Sequence, residues 1–270
     1  TNDILVVDVA GGEVTAIGNA VWNVSHPGRF YYQIAWSPDS RWVAFTQGLD
    51  NTHNAIFLYD LQDQKLHQAT SGFYEDFYPV FSASGDYLFY LTNRSMSAAY
   101  SDMNDGTWVY PNATQIASVA LTPDAPSLLH PKNDAVEVEE EKEDEDEKEE
   151  DEAKDEEAED EEESVEINFE DFESRIVLLP PKAGNIGALM PFEGKLVYLR
   201  FPNSGSGENG ASLMLYDLKE REEQPVIENV QGAVVTADGK AILVRSQGKY
   251  GIIQPAPKQK IEKPVPTDGL

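Results

Sequence analysis

The chain contains no cysteine, and only 4 of its 270 residues are histidine. The absence of cysteine excludes a disulfide framework and a thiolate zinc site, and it fits a reducing compartment. The histidines are scattered, and no pair has the spacing of metal ligands; they are His26, His53, His67 and His130. We therefore expect structural or surface roles for them, and we predict no metal site and no cofactor.

Positive charge is scarce as well. The 20 Lys and Arg residues are outnumbered by 49 Asp and Glu residues, which gives a net charge of −29 at pH 7. A surface of this sign repels phosphate, and no basic cluster interleaved with aromatic residues compensates for it, so we predict no nucleic-acid partner. No apolar run is long enough to span a bilayer. The chain opens with "TNDILVVDVAGG" rather than with Met and a signal sequence, so we expect a piece of a longer protein.

The sequence also lacks catalytic motifs. No G-x-S-x-G elbow is present, and no nucleophile can be paired with a base. "GSGENG" at 205–210 has the spacing of a dinucleotide-binding motif, but it joins two predicted strands and is interpreted as a hairpin loop. "DMNDG" at 102–106 resembles a calcium loop whose glycine comes one place too early. We predict that this chain itself carries no catalytic residue.

Acidic residues are in excess, and most of the excess lies in one run. From Asp134 to Glu166 there are 23 acidic residues against Lys142, Lys148 and Lys154, a net charge of −20. Subtracting this charge from the total of −29 leaves −9 for the rest of the chain. Such charge density without aromatic residues forbids a packed core, so we expect residues 134–168 to form a disordered acidic insertion.

Two sequence patterns recur in the remainder. The first is an alternating strand, a tight turn and a second alternating strand, as in "YQIAWSPDSRWVAF" (32–45), "YPVFSASGDYLFYL" (78–91) and "GAVVTADGKAILVR" (232–245). The second is an apolar strand that ends in aspartate, followed by a polar turn, as in "ILVVDVAGGEV" (4–14), "IFLYDLQDQKL" (56–66) and "LMLYDLKEREE" (213–223). Alternation of period two, rich in β-branched and aromatic residues, indicates antiparallel hairpins.

A four-stranded unit that recurs at about 40 to 50 residues is typical of a β-propeller blade. We predict an all-β partial propeller of about four to five blades: a half blade at 1–20, then blades at about 30–70, 75–183, 184–229 and 230–262. The acid run then lies between the third strand (114–121) and the fourth strand (174–180) of the second full blade. As domains, residues 1–133 and 169–262 form blades, 134–168 interrupt them, and 263–270 form a linker toward a missing catalytic region.

Several recurring residues have structural interpretations. Asp8, Asp60 and Asp217 stand at strand ends, where aspartate is more often a turn former than a reactant. We expect the aromatic residues that alternate on predicted strands to pack the blade cores; they are Trp36, Trp42, Phe81 and Tyr87.

The connections predict a recognition surface. Because strands in a blade alternate in direction, the first-to-second and third-to-fourth turns share one face of the disc, which we call the short-turn face. The remaining connections are longer and share the opposite, long-loop face, and long loops on a rigid scaffold commonly carry recognition. We predict substrate passage or docking of a catalytic region at this face, through Tyr74, Glu75, Asp76, Arg94 and Tyr100.

The stretches "SHPGR" (25–29), "FYEDFYPVF" (73–81) and the closing "KPVPTDGL" (263–270) carry a family resemblance. With the strand patterns around them, they resemble the N-terminal, seven-bladed propeller region of tricorn-type serine peptidases, along nearly the whole chain except the acid run. The resemblance implies a propeller that filters or channels peptide substrates toward PDZ and catalytic serine domains of the same polypeptide, in a homo-oligomeric parent protein. The residues of that catalytic domain have no counterparts here.

Two alternatives stay open at this point. One is a freestanding propeller that binds a protein partner, as in the Tol system, and the other is the propeller cap of a prolyl-oligopeptidase-type enzyme. The resemblance favours the cytoplasm, with the periplasm as the alternative compartment.

Overall fold

The structure is a computed structural model that describes residues 3–19, 33–95, 99–100, 108–109, 111–130 and 164–267. These residues form strands, turns and one short 3-10 helix (Phe172–Arg175). Among them, no helix has the length and apolar character needed to cross a membrane.

The described strands are antiparallel and form five sheets. An N-terminal hairpin consists of β1 (Asp3–Val7) and β2 (Val14–Asn19), and blade 1 consists of β3 (Ile34–Trp36), β4 (Trp42–Gly48), β5 (Asn54–Asp60) and β6 (Lys65–Gln68). Blade 2 consists of β7 (Asp76–Phe81), β8 (Tyr87–Asn93), β11 (Thr114–Ala120) and β12 (Ile176–Leu178), with the small hairpin β9 (Ala99–Tyr100) and β10 (Trp108–Val109) between β8 and β11. The last sheet has six strands, β13 (Asn185–Phe192), β14 (Lys195–Phe201), β15 (Ala211–Asp217), β16 (Glu223–Val235), β17 (Ile242–Ser246) and β18 (Lys249–Ile253).

The six-stranded sheet joins two predicted blades through one long strand. The first part of β16 pairs with β15 and its last part pairs with β17, with a register shift between Val230 and Gly232. We call the part up to residue 229 blade 3 and the rest blade 4. Blade 4 has three strands instead of the four predicted within 230–262. Its closing segment instead bonds to blade 3, because the amides of Lys258 and Gln259 donate to the carbonyls of Pro225 and Val226 at 3.0 and 2.7 Å.

The strand-end aspartates form turns, as their position predicts. The carboxylate of Asp60 accepts hydrogen bonds from the amides of Gln62 and Asp63, two and three residues further on. Asp8 and Asp217 make the same pair of bonds in their own turns. A short side chain that satisfies the amides of its own turn is the reason aspartate recurs there.

Apolar clusters fill the spaces between successive sheets. One cluster lies between the N-terminal hairpin and blade 1, and others lie between blades 1 and 2, blades 2 and 3, and blades 3 and 4. A succession of sheets of about four strands, each packed face to face on the next, is typical of a β-propeller. The predicted all-β, partial propeller is confirmed.

Side-chain burial where the N-terminal hairpin meets blade 1 contradicts one prediction about the core. Trp42 and Phe81 are buried, but Trp36 is 52% exposed, so its assignment to the core is wrong. The N-terminal hairpin packs on β4 and β5 through Phe45 and Phe57 and does not cover β3, which carries Trp36. The outer face of blade 4, at the other end of the series of described sheets, is also not covered by any described sheet.

At that far end, Val234, Leu243 and Ile252 form one row across the three strands of blade 4. Val234 and Ile252 are 57% and 60% exposed. Both ends of the described stack therefore present apolar side chains on a sheet face.

We expect the isolated chain to self-associate through these two faces, because large exposed apolar patches rarely remain uncovered. The double variant Trp36→Ser, Ile252→Ser should weaken association at least tenfold, since burying each of these side chains is worth about 1.5–3 kcal/mol. Light scattering over a concentration series measures the effect. Leu178→Ser with Phe201→Ser, two exposed apolar residues away from both end faces, is the control and should change little. A monomeric unaltered chain at high concentration would contradict the prediction.

The acid run lies in the connection between β11 and β12, which pair in antiparallel register. The two sides of this connection are tied at a neck, where the amide of Asn168 donates to the carbonyl of Leu121 at 2.9 Å. Arg175 reinforces the neck, because its Nε donates to the carbonyl of Ala120 at 2.9 Å and its Nη1 to that of Glu170 at 2.8 Å. The hydrogen bonds that hold the two sides of this connection together thus come from residues outside the acid run.

The chain rejoins the fold earlier than predicted. Val165, assigned to the insertion 134–168 by sequence, is buried in the cluster between blades 1 and 2. Its carbonyl accepts a hydrogen bond from Trp42 Nε1 at 2.9 Å, and its amide donates to Asp39 Oδ2 at 2.7 Å. Residues 164–168 therefore belong to the packed propeller, and residues 131–163 lie outside the described residues.

We expect replacement of residues 134–163 by a short Gly-Ser linker to leave the β-type circular dichroism and the melting temperature nearly unchanged, because the neck is closed without them. Extending the replacement to 134–168 should lower stability by about 2 kcal/mol or more, since it removes the buried Val165. Thermal and urea unfolding of the two variants distinguish them. Equal losses would show that the acid run itself supports the fold.

Candidate functional site

Three of the predicted recognition residues lie in or next to the connection 69–75, between blades 1 and 2. Glu75 ends this connection, and its carboxylate accepts hydrogen bonds from the backbone amide of Asn54 at 2.9 Å and from Asn54 Nδ2 at 2.5 Å. Asn54 opens β5 opposite Gly48, at the end of blade 1 where the longer loop lies. Glu75 thereby fastens the connection to the long-loop face.

The same connection has a second support. The carbonyl of Gly72, a residue with φ of +75°, accepts a hydrogen bond from Asn51 Nδ2 at 2.9 Å and lies 3.1 Å from His53 Nδ1. A left-handed glycine allows the sharp turn that presents the next two residues to solvent. The loop of blade 1 therefore holds the connection in one shape.

Asp76 differs from its predicted place on an exposed loop. It is the first residue of β7, opposite Thr92 of β8, and its side chain is 1% exposed. The nearest cation is Nη2 of Arg94, 3.6 Å from Asp76 Oδ1. Burial raises the pKa of Asp76 and outweighs the opposing effects of the Thr92 hydroxyl and the Arg94 charge.

Arg94 joins the buried residues to the surface. Its Nε donates to Thr92 Oγ1 at 2.9 Å, and its Nη2 donates to the hydroxyl of Tyr90 at 3.4 Å. Its guanidinium lies over the ring of Tyr74, 4.5 Å from the centroid. Burial raises the pKa of Tyr90, so the tyrosine stays neutral and accepts this bond. Two of the residues predicted to share one surface, Tyr74 and Arg94, are therefore in direct contact.

Phe73 is a member of this surface that the sequence prediction missed. It is 74% exposed, and its ring meets the ring of Tyr74 edge to face, with centroids 4.9 Å apart and an interplanar angle of 82°. The signal was present in "SGFYED", where two aromatic residues follow a glycine in a polar connection. We call Phe73, Tyr74 and Arg94 the aromatic–arginine cluster.

Tyr100 is the remaining predicted residue. It lies on β9, opposite Trp108 of β10, in the connection between β8 and β11. Its side chain lies outside the described residues, so its membership of the surface stays a prediction.

The side chains of the aromatic–arginine cluster are of types that can bind a ligand by packing and hydrogen bonding. It offers two aromatic faces and edges, and a guanidinium held in place by Thr92, Tyr90 and Asp76. Within the described ranges, no group of three or more His, Asp or Glu side chains is placed to hold a metal ion. Tyrosine and arginine are among the residue types enriched at the energetic centres of protein interfaces, and a cation over an aromatic face is itself favourable.

Blades of antiparallel strands that bury their faces against one another define a β-propeller segment. The sequence model of the tricorn protease second β-propeller domain matches residues 1–256. The chain therefore belongs to this family, and the resemblance seen in the sequence is confirmed: it is a propeller segment of a tricorn-like protease.

Individual relatives agree with this assignment. The chain is 28% identical over 233 residues to tricorn protease homolog 2 of Streptomyces coelicolor, and 24% identical over 250 residues to the tricorn protease of Thermoplasma volcanium. These matches cover 80% and 90% of this chain but only 19% and 22% of the relatives, so the chain spans about a fifth of their length. The crystal structure of the tricorn protease superposes with a TM-score of 0.68 at 20% identity, over 98% of this chain and 25% of that one. TolB from Acinetobacter baumannii gives a TM-score of 0.51 at 14% identity, over 97% of this chain and 47% of that one, a likeness of fold alone.

The buried Asp76 predicts an unusual pH dependence of stability. Its pKa is raised from an ordinary value of 3.8. The stability that this shift contributes to the folded state is therefore present below pH 3.8 and is lost as the pH rises through the folded-state pKa. The stability of Asp76→Asn relative to that of the unaltered chain should therefore rise as the pH increases from 4 to 8 in urea unfolding.

Asp60 provides the opposite case as a control. Its hydrogen-bonded pair with Arg41 lowers the pKa of Asp60, so its contribution is present above the ordinary value and is lost as the pH falls through the folded-state pKa. Asp60→Asn should destabilise the chain near neutral pH, and the loss should fade in acid. Parallel pH profiles for the two variants would contradict the assignment of Asp76 as a carboxyl dominated by burial.

Proposed function

We propose that this chain helps to capture extended peptides on the long-loop face and to guide them toward a serine active site elsewhere in its parent polypeptide. The observation that carries the proposal is the aromatic–arginine cluster, in which Phe73 is exposed and Arg94 is fixed from below. The chain contributes binding, and the bond cleavage belongs to a catalytic domain that it does not contain.

The physical basis is contact without strict sequence selection. An aromatic ring packs against almost any apolar side chain, and the guanidinium donates to the carbonyls that every extended peptide exposes. Because Arg94 is already oriented by Thr92 and Tyr90, less conformational entropy is lost when a peptide binds. A surface of this kind suits a protease that takes many different peptides.

Family membership supports the remaining parts of the proposal. In the parent protein, peptide substrates are the ligands, PDZ and catalytic serine domains of the same polypeptide are the partners, and the assembly is a cytoplasmic homo-oligomer. Capture of peptides by the propeller would then precede their cleavage.

The test uses the full-length parent enzyme with Phe73→Ser and Tyr74→Ser, which leave the pair of Arg94 and Asp76 intact. We expect kcat/KM for peptides of a dozen or more residues to fall about tenfold, because an exposed aromatic anchor typically contributes about 1–2 kcal/mol to binding. Cleavage of a short chromogenic substrate, which reaches the active site without this surface, should be unchanged. Tyr100→Ser, measured alone, tests whether Tyr100 belongs to the same surface.

Leu66→Ser with Phe201→Ser is the matched control, since it removes two exposed apolar side chains from other parts of the propeller. This control should cleave both substrates normally. An equal loss on long and short substrates by the Phe73 and Tyr74 variant would indicate docking of the catalytic region at this face, and no loss on either would remove the face from substrate handling.

A further inference from the structure

A groove of about 700 Å³ lies on the short-turn face, beside the neck of the acidic connection. Blade 1 provides one wall, and the two arms of the connection between β11 and β12 provide the other. We call it the root groove; the lining residues used below are Asp63, Lys65, His67, Asp124, Glu166 and Phe169. It is distinct from the aromatic–arginine cluster, because Trp42 and Asp60 pair at this end of blade 1 whereas Gly48 and Asn54 pair at the other.

Aromatic rings form the floor of the root groove. His67 and Phe169 stack with centroids 3.9 Å apart and an interplanar angle of 5°. Both rings contact Trp42, at 6.1 and 5.9 Å between centroids, and Trp42 is held by its bond to the carbonyl of Val165. Burial, together with the charge of Lys65, lowers the pKa of His67, so the imidazole is uncharged at neutral pH. The floor is therefore a rigid, neutral aromatic surface.

The walls carry an excess of negative charge. Arg41 and Asp60 neutralise each other through two hydrogen bonds, Nε to Oδ1 at 3.2 Å and Nη2 to Oδ2 at 2.6 Å. The other charged residues of the walls are one cation, Lys65, and three carboxylates, those of Asp63, Asp124 and Glu166. None of these three carboxylates belongs to an ion pair among the described residues. The sequence that joins the two arms adds to the same sign, since residues 134–163 contain 22 acidic residues and three lysines, a net charge of −19.

We propose that the root groove binds a Lys- or Arg-containing extended segment of a protein partner. The carboxylates fit the cationic head groups, and the aromatic floor fits the methylene stem of lysine or the plane of a guanidinium. The neighbouring acid run raises the local concentration of basic partners and their association rate, an effect that falls with ionic strength. This site lies apart from the peptide surface on the long-loop face and does not rest on the function proposed for it.

The test measures binding of a fluorescein-labelled peptide of alternating lysine and alanine to the full chain by fluorescence anisotropy, with a glutamate–alanine peptide for comparison. The triple variant Asp63→Asn, Asp124→Asn, Glu166→Gln should weaken binding of the lysine peptide about tenfold, because it removes three partly exposed carboxylates that would pair with the lysine ammonium groups. Phe169→Leu, which keeps an apolar side chain but removes the stack with His67, should weaken it severalfold. Circular dichroism and thermal unfolding establish that each variant is folded.

The matched control removes the same charge elsewhere, through Asp50→Asn, Glu193→Gln and Glu208→Gln. This control should bind the lysine peptide nearly as well as the unaltered chain. A second comparison repeats the series in a chain whose residues 134–163 are replaced by a Gly-Ser linker. There the affinity should be lower at every salt concentration, but the loss caused by the groove variants should persist.

Two results would overturn the proposal. Equal losses in the groove and control variants would mean that the peptide responds only to total charge. Complete loss of binding when residues 134–163 are replaced would assign the interaction to the acid run and not to the root groove.

Discussion

The contact between the apolar faces of successive sheets is the interaction on which the rest of this structure depends. A strand sheet with two apolar faces is stable only when both faces are covered, and here the cover comes from the neighbouring blade. The cluster between blades 1 and 2 illustrates this, because Trp42 and Leu58 from one sheet meet Leu88 and Tyr90 from the next. Stability in such a stack accumulates mainly between neighbours. The exposure of Trp36 and Ile252 follows directly, since Trp36 lies on β3, which the N-terminal hairpin does not cover, and Ile252 lies on the outer face of the last described sheet.

The same constraint leaves the strand ends free to vary. Interblade contacts use the middles of strands, so a connection can lengthen without disturbing the cores if its two sides are closed near the sheet. Asn168 and Arg175 provide this closure, through bonds to the carbonyls of Leu121 and Ala120. A run of 23 acidic residues could therefore enter the connection between two strands while β11 and β12 kept their register.

Much of this architecture could be predicted from sequence because it follows short-range rules. Alternation of period two located the strands, and the spacing of Asp8, Asp60 and Asp217 revealed repeated turns whose hydrogen bonds are local. The failures concern contacts between distant parts of the chain. Val165 resembles the acid run in sequence but packs against Trp42, which is 123 residues away.

The candidate site shows the same difference between features set by local sequence and features set by long-range contacts. The segment around Tyr74 could be recognised as a loop from its own sequence, and its aromatic content marked it as a surface for binding. The burial of Asp76 and the exposure of Phe73 depend on how the loop of blade 1 holds Gly72 and on the pairing of β7 with β8. No local pattern encodes those contacts, so sequence reasoning placed Asp76 on the surface and overlooked Phe73.

Both candidate binding surfaces are supported by the single apolar cluster between blades 1 and 2. At the long-loop end, Tyr90 belongs to this cluster and directs its hydroxyl to Arg94. At the short-turn end, Trp42 belongs to it and directs its indole nitrogen to the carbonyl of Val165. Tyrosine and tryptophan suit these positions because each buries a large apolar body while its polar group reaches a partner at the edge of the core. A well-packed interior thus ends, at each face, in a polar group that fixes part of a candidate binding surface. The blade 1–blade 2 junction can therefore position both candidate surfaces without any change to the core that joins them.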